Sequence, residues 1–170
     1  LQVWKDNKDA GVPVLTMVVF DRSGSMGEFA DADKPELGTR MDVAKQALRM
    51  AANYISPSNH IGLMTYDNTI RLDLPLGPAD GTYVSRFVGA VNRVQPGGST
   101  YTSSALVAAL HHMLEYQATL GYAVKLRIIL MSDGVQDGDP LHPNRALNVV
   151  QGLRVPVYGI AFSKGADKKA

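Results

Sequence analysis

A three-layer α/β fold is the architecture that the sequence predicts: a mostly parallel sheet with one antiparallel edge strand and helices on both faces. Two features indicate it. Apolar runs rich in β-branched residues alternate with segments whose apolar residues recur every three or four positions, as in buried strands connected by helices. One pair of strands is separated only by Asp67 and Asn68, a dipeptide suited to a tight hairpin turn, so this pair is expected to be antiparallel.

Apolar runs mark the strands. A continuous run predicts a strand that is buried on both faces, and the alternation of apolar and polar residues in one run predicts the edge strand. The predicted strands are residues 12–20, 60–66, 69–76 (the edge), 124–134 and 155–162.

Helical periodicity marks four segments between these strands. Thr39 is a suitable N-cap for the first helix, and Pro143 stands near the first turn of the last. The polar segment 27–38, which contains Gly and Pro, is predicted to be a surface loop, as is 95–104. The predicted helices are 39–56, 82–94, a segment with one apolar face from 105 to 114, and 142–153.

The composition fits one domain over residues 1–170, with residues 1–11 as an N-terminal arm. Hydrophobic residues make up 45% of the chain, which is enough for a substantial core. The formal net charge is only +1, so we expect no nucleic-acid partner, and no apolar stretch is long enough to insert into a membrane. The sequence contains no cysteine, which excludes disulfides, a thiolate nucleophile and a Cys-based zinc site.

Polar side chains follow two of the predicted buried strands where each strand ends. The first strand runs into "DRSGS" and the fourth into "SDG", while the loop "GGST" opens a helix between them. Because ligands of an open parallel sheet collect beyond the carboxyl ends of its strands, these three loops are expected to converge. The candidate site consists of five oxygen-bearing side chains: Asp21, Ser23, Ser25, Thr100 and Asp133.

Such a cluster favours a hard divalent cation. Its donors are all oxygens, which selects Mg²⁺, or else Mn²⁺ or Ca²⁺, over zinc. In Asp-x-Ser-x-Ser the alternate side chains lie on one side of an extended segment, and Gly24 allows a tight turn. Three of the donors are neutral hydroxyls, so a metal held here would remain electrophilic and would seek one more anionic oxygen from outside the chain.

The ordered motifs "DRSGSM", "GGSTYT" and "LMSDG" resemble those of a von Willebrand factor A domain with a metal-ion-dependent adhesion site, over nearly the whole chain. The resemblance implies a Rossmann-like fold in which Ser23 and Ser25 coordinate the metal directly. It implies that Thr100 does so directly or through water, and that Asp21 and Asp133 act largely through water. The implied role is adhesion or assembly, in which an Asp, a Glu or a terminal carboxylate of a partner protein completes the coordination of magnesium.

Further expectations concern the surroundings of the site. We expect Arg22, Tyr101 and Asp137 to form its rim, where the charge of Arg22 guides an anionic ligand or points to solvent. Relatives commonly continue beyond the last strand, so we expect a truncation near residue 162. The first residues resemble the start of such domains in bacterial surface proteins, which favours an extracytoplasmic or cell-surface location.

Other interpretations compete with the metal site. A Mg²⁺-dependent phosphohydrolase, or a phosphate- or nucleotide-binding domain, also places Asp at the end of its first strand. A phosphohydrolase would need a carboxylate at position 23, where this chain has Ser23, and no phosphate loop or dinucleotide fingerprint follows the strand. We therefore expect a domain that is not an enzyme. Taken singly, Thr100, Thr102 or Ser103 would suit a helix N-cap, and Asp133-Gly134 a turn after a strand. Asp137 and Asp139 suit a polar turn in a surface loop better than extra metal ligands.

Overall fold

The computed structural model describes residues 11–134 and 136–161. The five strands are β1 (Val14–Asp21), β2 (His60–Tyr66), β3 (Ile70–Pro78), β4 (Lys125–Ser132) and β5 (Val157–Ala161). The α-helices of the described ranges are α1 (Arg40–Ala52), α2 (Gly81–Arg93), α3 (Thr102–Thr119) and α4 (Pro143–Gly152). Nearly all of the expected N-terminal arm, and the residues from 162 onward, lie outside the described residues.

The strands form one sheet in the order β3-β2-β1-β4-β5. β1 pairs in parallel with both β2 and β4, and β4 pairs in parallel with β5, whereas β2 and β3 are antiparallel. The predicted fold class, including the antiparallel edge strand, is thus confirmed. Because the chain order reverses on the two sides of β1, the carboxyl end of β1 is the point at which a ligand site is expected in a sheet of this kind.

Helices cover both faces of the sheet, as predicted. Along β1, Val18 and Phe20 pack on the side of α1 and α2, whereas Met17 and Val19 pack on the side of α3 and α4. Every residue of β1 is buried. The strand is therefore a rigid support for whatever follows it.

The first helix begins where the sequence predicts and ends earlier. Thr39 is its N-cap in a capping box, because the Thr39 hydroxyl accepts from the Asp42 N–H (3.0 Å) and the Asp42 carboxylate accepts from the Thr39 N–H (2.9 Å). The helix ends at Ala52 instead of near residue 56, because the next N–H groups bond three residues back in a tighter turn and Pro57 disfavours further helix.

Other boundaries also differ from the prediction, and helix α3 extends to Thr119, beyond the predicted end at 114. The segment 27–38 is not loop throughout, since Pro35–Leu37 forms a 3₁₀ turn and Phe29 pairs with Thr39 in an isolated bridge. Helix α3 begins at Thr102, within the predicted loop 95–104, because its first N–H groups are satisfied by a distant loop. None of the helices in the described ranges has both the length and the hydropathy needed to cross a membrane.

Candidate metal centre

Asp21 is the last residue of β1 and is fully buried. Its Oδ1 accepts a hydrogen bond from the Ser23 N–H and its Oδ2 one from the Ser132 hydroxyl, both at 2.8 Å. Burial raises the pKa of Asp21; hydrogen bonds from Ser23 and Ser132 lower it, and the charge of Asp133 raises it further. The carboxylate is thus fixed between β1 and β4, in surroundings that penalise its negative charge unless a cation is near.

Ser23 and Ser25 project to the same place. Their hydroxyl oxygens lie 3.2 Å apart, with Ser23 buried and Ser25 half-buried. Ser23 has an extended backbone, but Ser25 lies inside a 3₁₀ turn at Gly24–Gly27, so the segment is not extended throughout as the sequence predicted. The turn, and not strand-like alternation, brings the two hydroxyls together. The Gly24 N–H donates to the Gly98 carbonyl (3.0 Å), which ties this loop to the one that carries Thr100.

Thr100 is held from two sides. Gly98 has a φ of +84°, and a Cβ there would come within 2.6 Å of Asn68 Oδ1 and 2.7 Å of Asp67 Oδ2, so only glycine fits. Thr100 is 5% exposed, and its N–H and carbonyl both bond to the backbone of Asp137 (3.4 and 3.0 Å). The loop therefore contacts both the segment after β1 and the segment after β4.

The N-terminus of α3 is capped by a distant loop and not by its own hydroxyl groups. The N–H and hydroxyl of Ser103 donate to Gln136 Oε1 (2.8 and 2.6 Å), and those of Ser104 donate to the Asp139 carboxylate (2.8 and 2.5 Å). The N-cap residue, Tyr101, makes no side-chain cap. Asp139 therefore has a structural role that the sequence-based interpretation as a turn residue missed.

Asp133 follows β4, and its carboxylate pairs with the guanidinium of Arg40, a contact that the sequence did not indicate. The Asp133 side chain is 5% exposed, and its Oδ2 lies 3.2 Å from Nη1 of Arg40, the first residue of α1. Nη1 of Arg40 also lies 3.4 Å from the carbonyl oxygen of Ser25, and Nη2 lies 3.5 Å from Glu28 Oε2. Arg40 thereby connects the loops that follow β1 and β4.

Arg22 does not lie at the rim, and this corrects the expectation from sequence. Its guanidinium is buried and pairs with Asp67, and it also donates to the hydroxyls of Thr65 (3.2 Å) and Thr69 (2.8 Å). The charge of Arg22 is thus used to join the end of β1 to the β2–β3 hairpin. Asp137 is exposed beside Thr100, so its position agrees with a place at the rim.

The donor set fits a hard divalent cation. In the described part of the chain, no group of three or more His, Cys, Asp or Glu side chains could hold a metal, so hydroxyls would have to contribute. The two serine oxygens are 3.2 Å apart, and neighbouring ligands of an octahedral ion with Mg²⁺-like bond lengths lie about 2.9 Å apart. A small adjustment would therefore let Ser23 and Ser25 share one ion.

A mostly parallel sheet in this strand order, covered by helices on both faces, is an α/β fold of the Rossmann-like class, with the oxygen-rich cluster beyond its central strand. The sequence profile of the von Willebrand factor type A domain matches residues 16–136. The chain belongs to this family, as its motifs predict.

Solved structures show the same fold. A von Willebrand factor type A protein from Catenulispora acidiphila is 20% identical with a TM-score of 0.68, and the match covers 89% of this chain and 34% of that one. The N-terminal domains of the type V pili tip protein Mfa5 from Porphyromonas gingivalis are 24% identical with a TM-score of 0.54, over 74% of this chain and 20% of that one.

A longer protein of Borreliella burgdorferi also resembles this chain. This uncharacterized protein is 23% identical over 160 residues, which cover 93% of this chain and 42% of its own length. The present chain thus spans less than half of the length of that relative.

Proposed function

We propose that this domain binds a partner protein in adhesion or assembly, and that binding depends on a divalent cation at the cluster of Asp21, Ser23, Ser25, Thr100 and Asp133. The observation that carries the proposal is the pair of serine hydroxyls, 3.2 Å apart, beside a fully buried carboxylate at the carboxyl end of β1. Family membership supports it, and so does the likeness to a pilus tip protein, which also favours an extracytoplasmic or cell-surface location.

The five side chains of the cluster would have different roles in holding the ion. Ser23 and Ser25 would hold the ion directly, Thr100 would do so directly or through water, and Asp21 and Asp133 would orient bound water. A bound cation, Mg²⁺ in the first place and otherwise Mn²⁺ or Ca²⁺, would supply a positively charged coordination position for one oxygen from outside the chain. Because only two of these side chains carry charge, an Asp, a Glu or a terminal carboxylate of the partner is the group that this position favours.

The geometry of Asp21 supports a role in binding over one in catalysis. Both carboxylate oxygens accept hydrogen bonds, and the side chain is fully buried, so it is not placed to attack a phosphoryl group. A phosphohydrolase would also need a second carboxylate at the position of Ser23. The proposal therefore includes the absence of enzymatic activity, which a colorimetric phosphate-ester assay with Mg²⁺ tests directly.

Calorimetry tests the proposal. The domain is titrated first with MgCl₂ or MnCl₂, and then, in Mg²⁺ and in EDTA, with a short synthetic peptide whose C-terminus is amidated and whose single Asp is its only carboxylate. We expect the peptide to bind only with metal, and the same peptide with Asn in place of Asp to bind much more weakly. Equal binding in EDTA would show that the site does not act through a metal.

A further inference from the structure

Arg40 lies between the two halves of the candidate metal centre. Its Nη1 is 3.2 Å from the Asp133 carboxylate, on the loop after β4, and 3.4 Å from the carbonyl oxygen of Ser25, on the loop after β1. Asp133 is one of the two carboxylates proposed to serve the cation, and Ser25 is one of its proposed direct ligands. A single guanidinium therefore contacts both parts of the chain that a divalent cation would join.

The surroundings of Arg40 show which partner holds it. Its side chain is 21% exposed, and Nε is buried without a hydrogen-bond partner among the described residues. The second ion pair, to Glu28, is longer at 3.5 Å, and the Glu28 side chain is 67% exposed, so solvent screens that attraction. The enclosed pair with Asp133, whose side chain is only 5% exposed, is the stronger interaction.

We propose that Arg40 is a built-in counter-ion, which neutralises Asp133 in the metal-free domain and thereby lowers the affinity of the site for divalent cations. This inference rests on the proposed function, since it concerns the same site. A guanidinium and a doubly charged ion repel each other when they share one carboxylate. Binding of a divalent cation therefore weakens the Arg40–Asp133 contact, and Arg40 turns towards Glu28 and solvent.

The replacement of Arg40 by a metal ion would keep the Asp133 carboxylate next to a positive charge both with and without metal. A buried carboxylate without a partner is strongly destabilising, and Asp133 lies beside Asp21, whose charge is also buried. With Arg40 in place, Asp133 has a positive partner before the metal arrives and another once the metal is bound. The domain is thus expected to fold without metal, at the expense of some metal affinity.

Four proteins are compared by calorimetric titration with MnCl₂: wild type, Arg40→Gln, Arg40→Lys and Arg49→Gln. We expect Arg40→Gln to bind Mn²⁺ about tenfold more tightly, which corresponds to about 1.4 kcal/mol. Arg40→Lys keeps the charge and should stay within about threefold of wild type. Arg49 is the matched control, because it lies on the same helix and bonds to Asn92 (2.9 Å), away from the site. Arg49→Gln should leave the affinity unchanged.

Thermal unfolding gives a second readout. Arg40→Gln should melt below wild type in EDTA, since Asp133 loses its partner, and should gain more from added MgCl₂ than wild type does. If Arg40→Gln folds only with Mg²⁺, this would also support the exchange, because the metal would then take the place of Arg40 beside Asp133. A variant that stays unfolded in both buffers would contradict it, because the metal would then not replace Arg40.

The failures are distinguishable. If wild type binds Mn²⁺ and Arg40→Gln binds it equally or more weakly, the counter-ion role is wrong while the metal site stands. If none of the four proteins binds Mn²⁺, the proposed function fails and this inference fails with it.

Discussion

Removal of the Asp139 carboxylate should destabilise the domain through the N-terminus of α3. Asp139 accepts from the Ser104 N–H (2.8 Å) and hydroxyl (2.5 Å), and from the Leu141 N–H (2.8 Å). Loss of an N-cap acceptor costs about 0.5–2 kcal/mol, and loss of a negative charge at a helix N-terminus about 0.3–1 kcal/mol. We therefore expect Asp139→Ala to lower the free energy of unfolding by about 2 kcal/mol.

Urea denaturation in EDTA measures this loss independently of any metal. The matched control is Asp137→Ala, in the same loop, because Asp137 is exposed and its bonds to Thr100 use only the backbone. The control should stay within about 0.5 kcal/mol of wild type, and Asp139→Asn, which keeps an acceptor oxygen, should fall between the two. Equal losses for Asp137→Ala and Asp139→Ala would refute the capping role.

Three further predictions follow from the same structure. Asp21→Asn should abolish Mn²⁺ binding in calorimetry. In EDTA the variant should be at least as stable as wild type, because the substitution removes a negative charge that burial disfavours and keeps an oxygen that accepts a hydrogen bond. A clear loss of stability in EDTA would contradict this. Gly98→Ala should cost about 2 kcal/mol or more in urea denaturation, from its positive φ and the blocked Cβ position, whereas Gly97→Ala, which has open space, should be well tolerated. Burial lowers the pKa of His60 and of His112 from the ordinary 6.5. Below about that pH the unfolded chain binds more protons than the folded domain, so the stability should be complete above pH 6.5 and fall as the solution is acidified. A urea midpoint that does not drop between pH 7.5 and 5.5 would exclude this.

The sheet and helices were predictable because their signals are local. β1 is a mostly apolar run, with Thr16 as the one polar residue before Asp21, and all its residues are buried, while the Asp67-Asn68 dipeptide marks the antiparallel hairpin. Thr39 and Asp42 form a capping box within four residues of each other. In each case, neighbours in sequence determine the structure, so a short window contains the whole signal.

The convergence of the three loops was predictable for a related reason. Asp21 ends β1 and Asp133 follows directly after β4, and because these strands are adjacent and parallel, the topology alone brings both residues to one edge of the sheet. Their chemistry could be interpreted from the residue types. The metal-ligand roles themselves stay predictions that calorimetry must test.

What could not be predicted depends on single side chains that meet across long sequence separations. Arg40 pairs with Asp133, which is 93 residues away in the sequence, and Ser104 bonds to Asp139, which is 35 residues away. Arg22 stands inside the first motif, yet it turns away to Asp67 in the hairpin. Hydrophobic periodicity gives no information on such pairs, because each pair depends on the shape and charge around the two side chains in the folded protein.

These long-range contacts bear on how the site would bind a cation. Backbone hydrogen bonds from Gly24 to Gly98 and between Thr100 and Asp137 join the three loops to one another directly. A preorganised site loses little conformational entropy when it binds, so its affinity should depend mainly on charge. In that case the guanidinium of Arg40 and the burial of Asp21 have more influence on metal affinity than loop flexibility does. Charge substitutions at these two positions should therefore shift metal binding in opposite directions while the loops keep their positions.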